Sequence, residues 1–353
     1  MKKLDFKETI RRVVFIVCAV ALAVSLFMFF DTLTDERQAQ EDKKINQSIA
    51  DTTVATYIDT NGEIAFIKPT EVDRNRHNDE LTAHYSAINP DYIGYIWVPG
   101  CDISDPVVRG ENNEEYLATT YYGASNKAGA IFMDWRTVVT KDSVSPNIVL
   151  YGHNQKDGTM FGNLKNYRFA DKFYQQNPFI QFNTIYDVGD YVIFAYFVTN
   201  ALPEQDSEGE VFRYHDYNEQ LRDENTFYTY LDEVYKRSYI IPPFDVRFGD
   251  QLLTLSTCST EFRDSRFVVF ARKLRPGETE DSFDFTLTEQ NLTRQGIDWD
   301  AIRQLDETEK VTEIPEEYFY DGSEVYRLPP PRDESVNTAA ADIQGETTTA
   351  PPR

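Results

Sequence analysis

The sequence predicts a mainly β domain, a barrel or sandwich of about eight strands with helices packed on it. It covers roughly residues 85–275 and lies behind a single membrane-spanning helix. Three observations carry this reading. Short apolar runs punctuated by Gly, Pro, Asn and Asp recur from Pro90 onward. One segment, Asn218 to Ser238, breaks that rhythm with apolar residues at helical spacing. Near the N-terminus an 18-residue run carries no charge.

That run, "VVFIVCAVALAVSLFMFF" from Val13 to Phe30, would span roughly 27 Å as a helix at ~1.5 Å per residue, close to the ~30 Å hydrocarbon core of a bilayer. The segment before it, residues 1–12, carries five basic and two acidic side chains. The positive-inside bias therefore places residues 1–12 in the cytoplasm and everything after Phe30 outside. A cleaved signal peptide is the rival reading, but the run is long for one and no small-x-small site follows it. Residues 31–84 read as a stalk and N-terminal helical region, with Asp35 to about Tyr57 either a stalk helix or a helix packed beside the domain. The strand-like runs are "YIGYIWVPG", "DPVVRG", "EEYLATTYYG", "GAIFMDW", "NIVLYGHN", "GDYVIFAYFVTN", "FGDQLLTLSTC" and "RFVVFARKL". Between the sixth and seventh lies the helical segment, with Leu221, Phe227, Tyr230, Leu231, Val234 and Tyr235 on one stripe and Pro242-Pro243 ending it. Residues 275–353 form an acidic extension. A short helix is expected around "TRQGIDWDAIRQLDE", and disorder is expected after 328, where Pro, Thr and Ala replace large apolar residues.

The formal net charge is −24, which argues against nucleic acid as a partner because a phosphate backbone would be repelled. Half of that excess sits after Leu274, where 19 acidic residues face 7 basic ones. Three cysteines (Cys18, Cys101, Cys258) make a poor disulfide framework, and four histidines without CxxC or HxxxH spacing make a poor metal site. No cofactor is implied.

Chemistry concentrates at three strand ends. Cys258 ends "DQLLTLSTC", His153 ends "NIVLYGH", and Arg266 opens "RFVVFARKL". Alone, each has a bland reading: apolar filler, surface histidine, solvated loop charge. If strands 145–151, 250–257 and 266–273 are sheet neighbours, the two-residue period lets all three side chains meet at one rim. Cys, His and Arg together support acyl transfer. A sulfur nucleophile forms a thioester, an imidazole moves protons, and a guanidinium holds the oxyanion or the substrate backbone. Arg263 is a second candidate for the cationic role.

"TLSTC" followed eight residues later by the Arg of "RFVVFARK" resembles the active-site strand pair of class B sortases. "NPDYIGYIWVPGCDISDPVVRGENNEEYLATTYYG", "AGAIFMDWR" and "NIVLYGHNQKDGTMFGNLKNY" resemble the earlier parts of that domain, in order. The likeness covers about residues 50–274, with a catalytic domain at 85–274. It implies an eight-stranded sortase-like barrel, with N-terminal helices and a helix inserted before the cysteine strand. It also implies a membrane-anchored cysteine transpeptidase of a Gram-positive-type surface. By that resemblance Cys258 is the nucleophile, His153 the acid/base and Arg266 the oxyanion or substrate ligand. Ser256 and Thr257 fall where the family lines its motif pocket. The implied partners are secreted proteins with a C-terminal sorting signal, NPxTN- or PPxTG-like, cut after Thr. The acceptor would be an amine of a cell-wall peptide or a pilin. Two other classes stay open: a non-catalytic, membrane-tethered binding module on the same barrel, and a cysteine hydrolase that passes the acyl group to water.

Overall fold

The computed structural model describes residues 6–50, 56–58, 64–66, 71–169, 172–200, 211–259 and 264–291. Eight strands close into a barrel: β1 (Tyr92–Val98), β2 (Ile103–Val108), β3 (Ile131–Met133), β4 (Asn147–Tyr151), β5 (Phe179–Thr184), β6 (Asp190–Thr199), β7 (Leu252–Cys258) and β8 (Arg266–Lys273). Around the barrel the order is β7, β8, β6, β5, β1, β2, β3, β4 and back to β7. Closure leaves no open edge. The pairs β2–β3 and β4–β7 are parallel and the other six antiparallel.

Seven of the eight strand-like runs become barrel strands, and the exception has a topological cause. "EEYLATTYYG" connects the parallel strands β2 and β3, and parallel neighbours require a crossover rather than a tight hairpin. It folds instead as a 3-10 turn, Glu115–Leu117, and a loop turning back through Gly123 and Gly129. The eighth position in the barrel is taken by β5, whose alternating Phe179–Thr184 pairs with β1 and β6.

Strands of this barrel are buried on both faces. In β7, Leu253 and Leu255 join the barrel interior with Ile148, Leu150, Ile193 and Val269. Leu252 faces the other way, with Val149, Phe194, Val268 and Phe270, under helix α3 (Glu224–Arg237). Asp223 caps α3, its carboxylate accepting from the Thr226 amide at 2.9 Å. This cap starts the α-helix after a separate 3-10 turn at Asn218–Arg222, later than the stripe beginning at Leu221 suggests. Phe227, Tyr230, Leu231, Val234 and Tyr235 then fall on one buried face at i, i+3, i+4, i+7 and i+8.

The N-terminal helix α1 (Phe6–Ala50) runs unbroken for 45 residues. Its most apolar stretch has no residue buried within the protein. Past Asp31 it lies against the barrel: Ala39, Lys43, Asn46 and Ala50 are buried at helical spacing. Asn46 is the hub. Its Nδ2 donates to Asp105 at 3.0 Å, and its Oδ1 accepts from Tyr122 at 2.8 Å. Lys43 pairs with Asp102 at 2.6 Å, and Lys127 with Asp31 at 2.5 Å. Burial pushes the Asp105 carboxyl up, opposed by the Asn46 bond and Lys43. Helix α2 (Glu71–Ile88) adds Tyr85, which stacks on Tyr92 and meets Tyr121 edge-on. Part of the chain's large tyrosine content therefore mortars both N-terminal helices to the barrel wall.

At the other end, residues 275–291 stay on the barrel. Phe283 and Phe285 pack against Phe179 and Phe244. Glu289–Gln290 pairs with Ile240–Ile241 just after α3. Arg272 is fully buried and forms a two-point pair with Glu278 at 2.6 and 2.9 Å. The expected helix near residue 300 and the expected disorder after 328 lie outside the described residues.

Candidate active site

The candidate nucleophile is placed by strand register. Cys258 is the last residue of β7 and is directly paired with Arg266, the first of β8. On its other side β7 runs parallel to β4, with Ser256 opposite Tyr151. The Gly152 amide donates to the Ser256 carbonyl at 3.3 Å, carrying the ladder one step past the end of β4. The strand pairing ends there, and the Asn154 side chain reaches the Cys258 carbonyl at 2.9 Å, so His153 lies in the short segment that runs alongside the end of β7. Cys258 thus sits between a histidine and an arginine at one rim of a closed sheet.

Side-chain parity agrees. Residues 252, 254, 256 and 258 share one face of β7, the face turned away from the barrel interior. Arg266 shares it with Val268 and Phe270, and on β4 Val149 and Tyr151 lie on the same side. Cys258 is exposed, whereas the six strand residues before it are buried. The thiol therefore stands at the boundary between a rigid mount and solvent.

Each partner is tied down. The Nε2 of His153 lies 2.9 Å from the Leu117 carbonyl oxygen, in the β2–β3 connection. The neighbouring Asn154 donates its side-chain amide to the Cys258 carbonyl at 2.9 Å, stitching the histidine loop to the cysteine strand. Arg266 folds over its own turn, Nη1 donating to the carbonyls of Asp264 at 2.9 Å and Ser265 at 3.2 Å. The Ser259 amide and the Ser265 carbonyl, 2.8 Å apart, close that turn. Arg263 lies outside the described residues.

Ser256 and Thr257 are separated by the strand's alternation. Ser256 is buried on the cysteine's face, its Oγ 2.6 Å from the Tyr214 hydroxyl. Thr257 is buried on the opposite face, and among the described residues its hydroxyl has no hydrogen-bond partner. Tyr214, in the segment between β6 and α3, is a contributor that sequence reasoning missed. Burial pushes its phenol up to about 12, while the Ser256 bond and the charge of Arg266 pull the other way. It is therefore a neutral hydrogen-bonding group within electrostatic reach of the site. Asn154 and the Leu117 carbonyl were also missed. Adjacency to His153 was the only available signal for Asn154, and a backbone carbonyl leaves none.

A nucleophilic sulfur, a ring able to move protons and a guanidinium on one rim can perform acyl transfer. Comparison with known proteins agrees with this chemistry. A family model described as the sortase domain matches residues 96–274. Sortase B of Staphylococcus aureus (strain NCTC 8325 / PS 47) is 27% identical over 206 residues, which cover 57% of this chain and 79% of that protein. Sortase B of Listeria monocytogenes serovar 1/2a is 27% identical over 244 residues, 65% of this chain and 85% of that one. The solved Staphylococcus aureus sortase B–substrate complex is similar in fold, with a TM-score of 0.52. It is 23% identical, and the match covers 69% of this chain and 99% of that one.

Proposed function

Because the chain belongs to the sortase family, with class B enzymes as its relatives, we propose that Cys258, His153 and Arg266 are its catalytic residues. The observation that carries this is the convergence on the end of β7, with Arg266 paired to Cys258 on one side and, on the other, His153 between Gly152 and Asn154, whose amides reach the Ser256 and Cys258 carbonyls. Family membership makes the enzyme a cysteine transpeptidase, so the reaction divides into two acyl transfers. The Cys258 sulfur attacks the Thr carbonyl of the sorting motif. The C–N bond breaks, and His153 gives a proton to the departing amine. Arg266 supplies donors and positive charge to the oxyanion, or to the substrate backbone beside it. An acceptor amine then attacks the thioester, its proton passes to His153, and the sulfur leaves. Ser256, with Tyr214 behind it, would form part of the floor under the motif. Thr257, on the opposite face, would support the strand from within.

The substrates we propose are secreted proteins carrying NPxTN- or PPxTG-like C-terminal signals, and the acceptor is an amine of a cell-wall peptide or a pilin. The apolar run of α1 supports a single-pass anchor, with residues 1–12 in the cytoplasm and the barrel outside. The test is cleavage of a panel of fluorogenic sorting peptides, with and without an added amine. Cleavage that yields the peptide–amine product, abolished in Cys258→Ala and reduced at least ~100-fold in His153→Ala, is the expected result. Cleavage with water alone as acceptor would make the protein a hydrolase. Full function in Cys258→Ala would make it a binding module.

A further inference from the structure

We propose that the Leu117 carbonyl is the third member of this site. It holds neutral His153 as the Nε2–H tautomer and leaves Nδ1 as the nitrogen that carries protons to and from substrate. This rests on His153 being the acid/base. A carbonyl oxygen can only accept, so the 2.9 Å contact with Leu117 requires the hydrogen to be on Nε2. Among the described residues the ring has no other hydrogen-bond partner. Fixing one ring nitrogen decides what the other can do. A nucleophile–base pair whose base is oriented by a third group is the general pattern of activated nucleophiles. Here that group is backbone and not a carboxylate.

The carbonyl is held by a tightly folded connection. The Ala130 amide donates to the Tyr116 carbonyl at 3.0 Å, and the Asn126 amide to Ala118 at 3.0 Å. The side chain of Asn126 donates to the Asp35 carbonyl of α1, also at 3.0 Å. Gly129 lies directly beneath. Its φ is +61°, and a Cβ there would stand 2.4 Å from the Tyr116 oxygen and 3.0 Å from the Leu117 oxygen. Only glycine lets the strap lie this low, which makes Gly129 a positioning residue for the ring. The doubly protonated ring gives its Nδ1 proton to the leaving amine while keeping Nε2–H on Leu117, and the incoming amine later returns a proton to Nδ1.

The experiment is nitrogen NMR of histidine-labelled, detergent-solubilised full-length protein, with His153 assigned by its loss in His153→Gln. The expected result is a neutral ring protonated on Nε2, and a neutral ring protonated on Nδ1 overturns the proposal. Two variants extend it. Gly129→Ala pushes on the carbonyl. Gly123→Ala, in the same connection with φ +80° and nothing within 4 Å, imposes backbone strain without that push. Gly129→Ala should raise the Nδ1–H fraction and lower kcat about tenfold with KM little changed, a misorientation effect. Gly123→Ala should keep the wild-type tautomer and kcat. Equal tautomer ratios in the two variants would overturn the role of Gly129. Should Gly129→Ala fail to fold, the wild-type spectrum still decides the proposal. The tautomer is read without turnover, so a failure of the transpeptidase reading would appear separately, as the absence of the peptide–amine product in the cleavage assay.

Discussion

At the scale of the residue, Asn154 has the most specific role. It carries no chemistry, yet its amide spans from the histidine loop to the Cys258 carbonyl at the point where the ladder ends. Asn154→Ala should leave the barrel folded and lower kcat roughly tenfold with little change in KM, because positioning rather than binding is lost. A larger change in KM than in kcat would assign Asn154 to the substrate instead. Tyr214 and Ser256 share one buried bond. Tyr214→Phe should destabilise the protein by about 1 kcal/mol in chemical denaturation. Combined with Ser256→Ala it should be less than additive, since either change alone removes the same bond. Cys258, His153 and Arg266 were legible in the sequence as candidates because each sits where an apolar run starts or stops, and their catalytic roles rest on the variants proposed above. Tyr214 was not, because it opens a short 3-10 turn, Tyr214–Asp216, that carries no periodic signal and joins the core only beside α3.

At the scale of the element, helix α3 was readable from its stripe, since helical burial writes a period into sequence. Strand β5 was harder to read. It is short, follows a helical turn, and its identity depends on β1 and β6 arriving beside it. The segment 275–291 was read from composition as the start of an acidic extension, and composition cannot report an aromatic wedge. Removing everything after Asn291 should leave peptide cleavage and thermal stability unchanged. Ending the chain at Leu274 should cost about 3 kcal/mol or more, because Arg272 would lose its two-point partner Glu278 and the barrel would lose the Phe283–Phe285 packing. Calorimetry of the two truncations measures the difference. A single substitution, Glu278→Gln, isolates the charge. Burial raises the Glu278 carboxyl, but Arg272 and the Arg275 amide outweigh it and hold the group below its usual range. Its folded value is depressed, so the stability it contributes is present above the unfolded carboxylate range, near ~4.3, and is lost as pH falls through the folded value. The melting difference between wild type and Glu278→Gln should be full at pH 7 and vanish in strong acid. A difference independent of pH would show that shape, not charge, matters there.

At the scale of the whole molecule, barrel and N-terminal helices form one packed body around a tyrosine-rich seam. Asn46→Ala should expose the weakness of that seam. It strips a partner from buried Asp105 and from half-buried Tyr122 at once and should cost about 2 kcal/mol, read as a lower unfolding midpoint. Closure of the barrel was not readable from eight apolar runs, which suit a sandwich equally well. It depends on the two parallel pairings, β2–β3 and β4–β7, and residues far apart in the chain decide those.

The docked half of α1 has a mechanical meaning. Asp31, the first residue after the apolar run, is already bonded to Lys127 of the barrel. On the proposed topology, this leaves no slack between bilayer and enzyme. The protein is a tool on a rigid post, cutting at one height above the lipid, and a precursor is within reach only while its motif passes that height. Inserting a flexible Gly-Ser segment after Phe30 should leave cleavage of free peptides untouched while changing the processing of membrane-held precursors. Equal processing of both kinds of substrate would mean that height is not what the post sets.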